Sequence, residues 1–508
     1  MDQRASRLWG LTSIAVLAWA EAGCSAARLA GRGLEGARTS PAVRPNILYI
    51  MADDHAAHAL SCYGSRINHT PNLDRLASQG VRFTNAFCTN SICGPVRAII
   101  LTGQYSHKNG VRDNQTSLPD GIRTVVDALR EGGYQAAHIG KWHLRRDPTG
   151  FDHWDILPGQ GAYHDPDFIT NGVRAKHPGY VTDITFDKTM DWIRQRDPSR
   201  PFMIYCHLKA PHRNWEPAAR HAQLYEDVDI PLPQTFDDDY ATRTAAARLQ
   251  TMTIEKDLTR TDLKADPPAG SAGHELKLWK YQRYIKDYLR CIASIDDNVG
   301  RLMEFLDEQG LTENTVVIYT SDQGFFLGDH GWFDKRFMYE ESLRSPLIVR
   351  YPREIKAGSV CEAMVLSLDY PQTFLDFAGV PESAMQHELD GASILPLLRN
   401  PRRPPRDWRK SIYYHYYESY ADHTVPKHYG IRTDRYKLIH FYELPGDDAE
   451  RWELYDLKTD PNELHNVYAD PKSARTVAHL KEQLGGLRQR FGDHEPPGLS
   501  AAVPRPQQ

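Results

Sequence analysis

The chain has 508 residues, 41% hydrophobic and 25% charged. That is enough apolar material for a large core and too much for wholesale disorder. A formal net charge of −5, counting the 22 histidines as neutral, lacks the basic footprint of a nucleic-acid-binding protein, yet leaves room for a locally positive pocket that takes an anion.

Arg4 and Arg7, followed by an apolar stretch from Leu8 to Ala20, read as an export signal over residues 1–24. The stretch is too short for a membrane span. Ala22-Gly23-Cys24 resembles the end of a bacterial lipoprotein signal, with Cys24 as the acylated residue. The small residues from Ala20 to Ala27 also suit ordinary signal cleavage. The expected location is therefore the periplasm, outer membrane or cell surface of a bacterium. Residues 25–44, rich in Ala, Gly, Arg and Pro, read as a linker. No later segment stays apolar for ~18 residues, so the mature protein is expected not to span a membrane. The seven cysteines show neither the spacing of a zinc ribbon nor a disulfide framework.

Pro45 to Ala52 is an apolar run expected to form a buried parallel strand. It ends in Asp53-Asp54, two carboxylates that are costly at a strand end unless a cation or basic partner holds them. In open α/β sheets that end of the strands carries the ligand site. Thr70 to Gly80 is a capped helix, and Val81-Arg82-Phe83 begins another extended piece. Next comes Cys93-Gly94-Pro95-Val96-Arg97, whose Gly-Pro bend places Cys93 near a helix N-terminus, where backbone N–H groups favour an anion. Val125 to Gly132 is expected to be helical and Tyr134 to Ile139 a strand leading to Lys141 and His143. The Gly, Pro and aromatic residues of 150–161 read as loop. Tyr180 to Arg196 is an amphipathic helix, and Pro201 to Leu208 a buried strand with His212 just beyond it. Residues 213–275 read as an excursion outside the core, followed by a long helix or helix pair from Leu276 to Gln309. Thr315 to Thr320 is a strand ending in Ser321-Asp322-Gln323-Gly324; Pro346 to Arg350 is a short strand and Asp369 to Ala378 a helix.

This strand–helix alternation from 45 to about 395 argues an α/β sheet with helices on both faces. Residues 396–495 change character: Tyr413 to Tyr417, Tyr436 to Phe441 and Trp452 to Tyr455 look like short antiparallel strands of a smaller subdomain, ending in a helix near 475–491. The Pro-rich tail, 496–508, is expected to be disordered.

Cys93-x-Pro95-x-Arg97 with Leu101-Thr102-Gly103, Gly133-Tyr134 through Gly140-Lys141-Trp142-His143, and Asp53-Asp54 together resemble the formylglycine-dependent sulfatases of the alkaline phosphatase superfamily. Thr320 to Gly331 followed by Asp334-Lys335-Arg336 looks most like bacterial enzymes acting on sulfated glycans, such as N-acetylglucosamine-6-sulfatases and mucin-desulfating sulfatases. The resemblance implies a large, mixed, mostly parallel sheet sandwiched by helices. It implies that Cys93 is oxidised to formylglycine by a formylglycine-generating or anaerobic sulfatase-maturating enzyme, and that the aldehyde hydrate is the nucleophile. Asp53, Asp54, Asp322 and Gln323, with modified Cys93, would bind one Ca²⁺, an all-oxygen set suited to a hard cation. Arg97, Lys141 and Lys335 would hold the sulfate; His143 would take a proton from the diol, and His212 would protonate the departing sugar oxygen. Asp334 and Arg336 are expected to face the sugar, and His428 to close the pocket. The implied activity is hydrolysis of carbohydrate sulfate esters, acting from the chain end. N-sulfate cleavage, phosphonate or phosphate monoester hydrolysis, and a catalytically silent glycan-binding protein stand as alternatives.

Overall fold

The computed structural model describes residues 44–418 and 422–494; the export signal, Cys24 and the C-terminal tail lie outside the described residues. Strand β1 (Asn46–Ala52) is buried at every position. Its alternate side chains serve two apolar layers: Ile47, Tyr49 and Met51 enter one, and Leu48, Ile50 and Ala52 enter the other. A continuous apolar strand of this kind needs cover on both faces. The helices Pro71–Ser78, Val181–Gln195 and the 36-residue Gly273–Glu308 cover one face, and Cys93–Thr102, Val125–Glu131 and Asp369–Ala378 cover the other.

The sheet is built from β1 with β2 (Val81–Phe87), β3 (Gln135–Lys141), β4 (His153–Leu157), β5 (Asp167–Thr170), β6 (Val173–Lys176), β7 (Phe202–His207), β8 (Thr315–Ser321), β11 (Arg344–Arg350), β12 (Ser359–Cys361) and β13 (Val365–Leu366). A separate hairpin pairs β9 (Phe326–Leu327) with β10 (Phe333–Asp334). The order is β12-β2-β11-β8-β1-β7-β3-β4-β5-β6, with β13 also on β2. Strands β8, β1, β7 and β3 are mutually parallel. Because β11 runs antiparallel to both β2 and β8, β2 points the same way as β8. The residues following β1, β2, β3, β7 and β8 therefore emerge along one edge. Among them are Asp53-Asp54, Cys93, Lys141, His212 and Asp322-Gln323.

Backbone bonds stitch these turns together. The Asp53 amide donates to Ala210 O (3.2 Å) and the Asp322 amide to Ala52 O (3.2 Å). The smaller sheet is antiparallel: β14 (Ser411–Tyr416), β15 (His428–Thr433), β16 (Tyr436–His440) and β17 (Trp452–Asp456), with the Ala474–Phe491 helix against it. Its side chains Tyr413, Ile431 and Leu438 join the same apolar layer as the large sheet. It also holds the loop before Cys93: the His415 amide donates to Thr89 O (3.0 Å), and Tyr414 Oη accepts from the Ser91 amide (3.2 Å).

Two readings need correction. The stretch taken as loop from 150 contributes β4, and β5 and β6 extend the sheet outward as an antiparallel hairpin. Strand β5 is only partly buried and β6 is exposed throughout, so the apolar signature of a core strand is missing. The small sheet contains β15, whose His-Tyr-Gly-Ile-Arg-Thr sequence carries little apolar pattern. Among the described residues, no helix is long and apolar enough to cross a membrane, and the six described cysteines are free thiols.

Candidate active site

Cys93 opens a ten-residue helix that is buried along its whole length. The adjacent Gly94 amide donates to Asn114 Oδ1 (2.9 Å), fixing the turn. The thiol donates to Asp53 Oδ1 at 3.3 Å, and Lys335 Nζ lies 3.4 Å from the sulfur. Burial, and then Asp53, push this thiol far above its usual range. As it stands, Cys93 is an inert thiol rather than a thiolate nucleophile.

One helical turn on, Arg97 is only 2% exposed. Its Nη1 donates to Lys141 O (2.7 Å), and its Nη2 lies 3.3 Å from Asp322 Oδ2 and 3.8 Å from Asp53 Oδ2. Lys141 pairs with Asp53, and Lys335 with Asp54. Every one of these groups is buried.

Asp53, Asp54 and Asp322 bring carboxylate oxygens within 4.8 Å of one another. Burial raises Asp53, but Lys141, His212 and Arg97 outweigh it and hold that carboxyl well below its usual value. Asp54 is pushed up to about 6 by burial, opposed by Lys335 and reinforced by Asp53. Asp322 is pushed up to about 8 by burial and Asp53, against Arg97. The surrounding protein thus does not carry three ionised carboxylates at neutral pH without added positive charge. Asp54 Oδ2 and Gln323 Oε1 are buried with no hydrogen-bond partner, and Gln323 Nε2 contacts Asp54. Orphaned oxygens, crowded carboxylates and an all-oxygen donor set fit a hard divalent cation.

Two histidines border the same space. Nδ1 of His212 donates to Arg213 O (2.7 Å), leaving Nε2 3.8 Å from Asp54 Oδ2. Burial and then Lys141 hold its pKa well below the usual value. Nε2 of His143 sits 3.2 Å from Gln160 Nε2, and its Nδ1 has no protein partner. Burial and the nearby Lys141 and Arg97 lower His143 to about 2. Both rings are therefore neutral.

Above them lies a cavity of about 320 Å³ lined by Asn114, Gln160, His212, Arg213, Asp334, Lys335, Arg336 and His423. Arg336 Nη1 donates to Asp334 Oδ1 (2.8 Å), and His423 Nε2 lies 3.2 Å from Asp334 Oδ2. The structure thus brings together every expected site residue but one. His428, expected to close the pocket, is fully buried in β15 among the rings of Tyr414, Tyr416, Phe337 and Phe441, with Nδ1 on Pro426 O (2.9 Å). It does not line this cavity. His423, from the loop before β15, does so instead. Asn114, Gln160, Arg213 and His423 escaped the sequence reading. They come from loops with no periodicity, although Gln160 falls in the Leu157-to-Gly161 Gly/Pro segment and Arg213 directly follows His212.

The sulfatase family profile matches residues 45–380, and a profile for the C-terminal part of N-sulphoglucosamine sulphohydrolase matches residues 328–490. The chain is 44% identical over 496 residues to an N-acetylglucosamine-6-O-sulfatase of Bacteroides thetaiotaomicron, covering 89% of this chain and 88% of that one. It superposes with a TM-score of 0.86, at 44% identity, on BT4656 in complex with its substrate D-glucosamine-2-N,6-O-disulfate, over 90% of this chain and 100% of that one. The phosphonate monoester hydrolase of Agrobacterium radiobacter shares the fold, at 23% identity and a TM-score of 0.70 over 88% and 96% of the two chains. With the family profile spanning the large sheet and a relative this similar along nearly the whole chain, the protein belongs to the sulfatase family, on an alkaline phosphatase-like fold.

Proposed function

We propose that the protein removes sulfate from carbohydrate esters, acting at the chain end on the 6-O-sulfate of N-acetylglucosamine or a related glucosamine residue. The observation that carries this reading is Cys93 seated between a three-carboxylate cluster and Lys335, which itself lines a cavity walled by Asp334, Arg336 and His423. A cavity of about 320 Å³ suits one sulfated sugar better than a long chain. The 44% identity to an N-acetylglucosamine-6-O-sulfatase supports the choice of sugar.

Asp53, Asp54, Asp322 and Gln323 would hold a divalent cation, for which calcium is the fitting choice. When bound, it would supply a Lewis acid that polarises the sulfate. Cys93, converted to formylglycine by a maturating enzyme, would supply a hydrated aldehyde as nucleophile. Lys141, Lys335 and Arg97 place positive charge where negative charge accumulates at sulfur, in a buried setting where such charge counts most. Neutral His143 accepts at Nε2 from the Gln160 amide, so Nε2 is its bare nitrogen and the one suited to take a proton beside Cys93. Because Nδ1 of His212 is committed to Arg213 O, Nε2 is the nitrogen that hands a proton to the departing sugar oxygen. An anionic ester in the cavity favours the imidazolium that this requires. Asp334, Arg336 and His423 offer a carboxylate, a guanidinium and an imidazole to neighbouring hydroxyls, a directional set.

A second reading, cleavage of an N-sulfate, is favoured by the match of residues 328–490 to the N-sulphoglucosamine sulphohydrolase C-terminal profile. The signal-like residues 1–24 support export, with Cys24 as a lipid anchor, which cell fractionation tests. The functional test is a screen of defined saccharides, 6-O-sulfated N-acetylglucosamine and N-sulfated glucosamine among them, for released sulfate. The protein is co-expressed with a maturating enzyme and checked by intact mass for conversion of Cys93. Release from the 6-O-sulfate, abolished in Cys93→Ala, is the expected result. Release only from the N-sulfate selects the second reading, and turnover retained in Cys93→Ala refutes the nucleophile.

A further inference from the structure

Beside Arg97, on β3 and β7, lies a pair of histidines to which no step of the reaction has been assigned. His207 is the last residue of β7 and pairs in register with Met51 of β1 and Gly140 of β3. It is 3% exposed, and His138 on β3 is fully buried. Arg97 Nη1 lies 3.2 Å from His207 Nδ1, and His138 Nε2 lies 3.1 Å from that same atom. A guanidinium only donates hydrogen bonds, so His207 Nδ1 carries no proton, and His138 Nε2 must be the second donor. Both imidazoles are then neutral Nε2–H tautomers, and the two hydrogen bonds converge on His207 Nδ1.

Arg97 needs such an anchor. Its other contacts are the Lys141 carbonyl, Asp322 and, more distantly, Asp53, while its Nε has no protein partner. Asp53 and Asp322 belong to the carboxylate cluster and would be shared with a cation. Its contacts outside the carboxylate cluster are Lys141 O and His207 Nδ1, and both are set by the same β3–β7 pairing.

We propose that His207, as a neutral acceptor steadied by His138, is the positioning residue that orients the Arg97 guanidinium toward the sulfate end of the site. This rests on the sulfatase reading of Cys93 and Arg97. Burial, with His138 and Arg97 beside it, holds His207 well below its usual pKa, consistent with an acceptor that stays bare. Tyr49 and Tyr205 pack edge-on against its ring, at centroid distances of 5.8 and 5.4 Å, and keep it in one orientation.

The test compares His207→Leu, which removes the acceptor, with His207→Asn, whose amide oxygen falls near the position of Nδ1. His207→Gln, which moves the acceptor toward Nε2, is the third variant. Turnover of an activated aryl sulfate is measured per molecule of converted Cys93, with pH profiles, melting temperatures and a crystal structure of His207→Leu. The expectation is a kcat loss of about 10- to 100-fold in His207→Leu with a smaller change in KM. Most of that activity should return in His207→Asn but not in His207→Gln, the pH profile of His207→Asn should be that of wild type, and Arg97 should be displaced in the crystal structure. An unmoved guanidinium overturns the proposal, whether or not any activity is found. Equal losses in Leu and Asn variants also overturn it, leaving only a packing role, and a pH limb lost in His207→Asn replaces positioning with proton transfer. If His207→Leu does not fold, the Asn-against-Gln contrast decides. A wild-type enzyme that releases no sulfate refutes the functional reading, while the position of Arg97 in the variant structure still judges this one.

Discussion

Gly140→Ala is expected to damage stability and turnover together. Gly140 sits at φ +105°, and a Cβ there would lie 1.9 Å from His207 O and 2.9 Å from His207 C. Ordinary contact begins near 3.4 Å, and the obstacle is backbone, so β3 and β7 would have to part by more than an ångström. The left-handed backbone costs an L-residue ~1–2 kcal/mol. Forcing the strands apart adds roughly 1–3 kcal/mol, and each ladder bond lost at the Gly140–His207 pairing about 1 kcal/mol more. The sum is about 3–6 kcal/mol, or a fall in Tm of roughly 3–6 °C for a chain this large. Lys141 follows directly, and its carbonyl and amine hold Arg97 and Asp53. A displacement of that size in a catalytic group costs on the order of 100-fold in turnover. Differential scanning calorimetry and aryl sulfate turnover per folded molecule measure the two effects. An unchanged Tm with undiminished turnover would refute the claim that the close approach of β3 and β7 sets the position of Lys141.

Metal-free protein should lose stability as pH rises. The folded-state pKa values of Asp54 and Asp322, about 6 and about 8, exceed the unfolded value of ~3.9, so the stability they contribute is full below ~pH 4 and is lost as pH rises through 6 and 8. Asp53, held low, is ionised in both states across that window and adds no slope. Calcium at a hundredfold excess over its Kd should add about 2.7 kcal/mol, most visibly above pH 7, and a chelator should reverse it; Tm against pH with and without calcium checks both, and a flat metal-free profile would contradict the carboxylate cluster. His212→Ala should cost about 10²- to 10⁴-fold on sugar sulfates and far less on an activated aryl sulfate, with equal losses on both removing it as the proton donor. Asp334→Ala should raise KM for the sugar by about 10- to 100-fold and leave aryl sulfate kinetics nearly unchanged; equal effects on both substrates would place Asp334 outside the sugar subsite.

The parts legible in the sequence are those whose chemistry is crowded into short stretches. β1, β7 and β8 are unbroken apolar runs with polar residues directly at their ends, so both the strand and the functional turn can be read together. Strand β5 is only partly buried and the edge strand β6 is exposed throughout, so neither carries the apolar alternation of a core strand. The sugar side of the site was harder still. His428 and His423 lie five residues apart, but the strand register of β15 turns His428 into the aromatic core, opposite Tyr416. Only the loop conformation, with His423 at φ +66°, swings the other histidine over Asp334. Nothing local to Asn114 marks it as the partner of the Gly94 amide.

The burial of Cys93 also sets an order of events in the life of the chain. At 1% exposure, at the head of a helix with no exposed residue, and behind a loop tied down by β14, the Cys-x-Pro-x-Arg segment offers an outside enzyme no extended peptide to grip. Any oxidation of this thiol by a maturating enzyme must be finished before the large sheet closes over it. With Cys93 modified as proposed, maturation and folding would be in a race, and a molecule that folds first would be locked out of the modified form. Adding the maturating enzyme to folded protein should convert almost none of it, whereas adding it during synthesis or refolding should convert most.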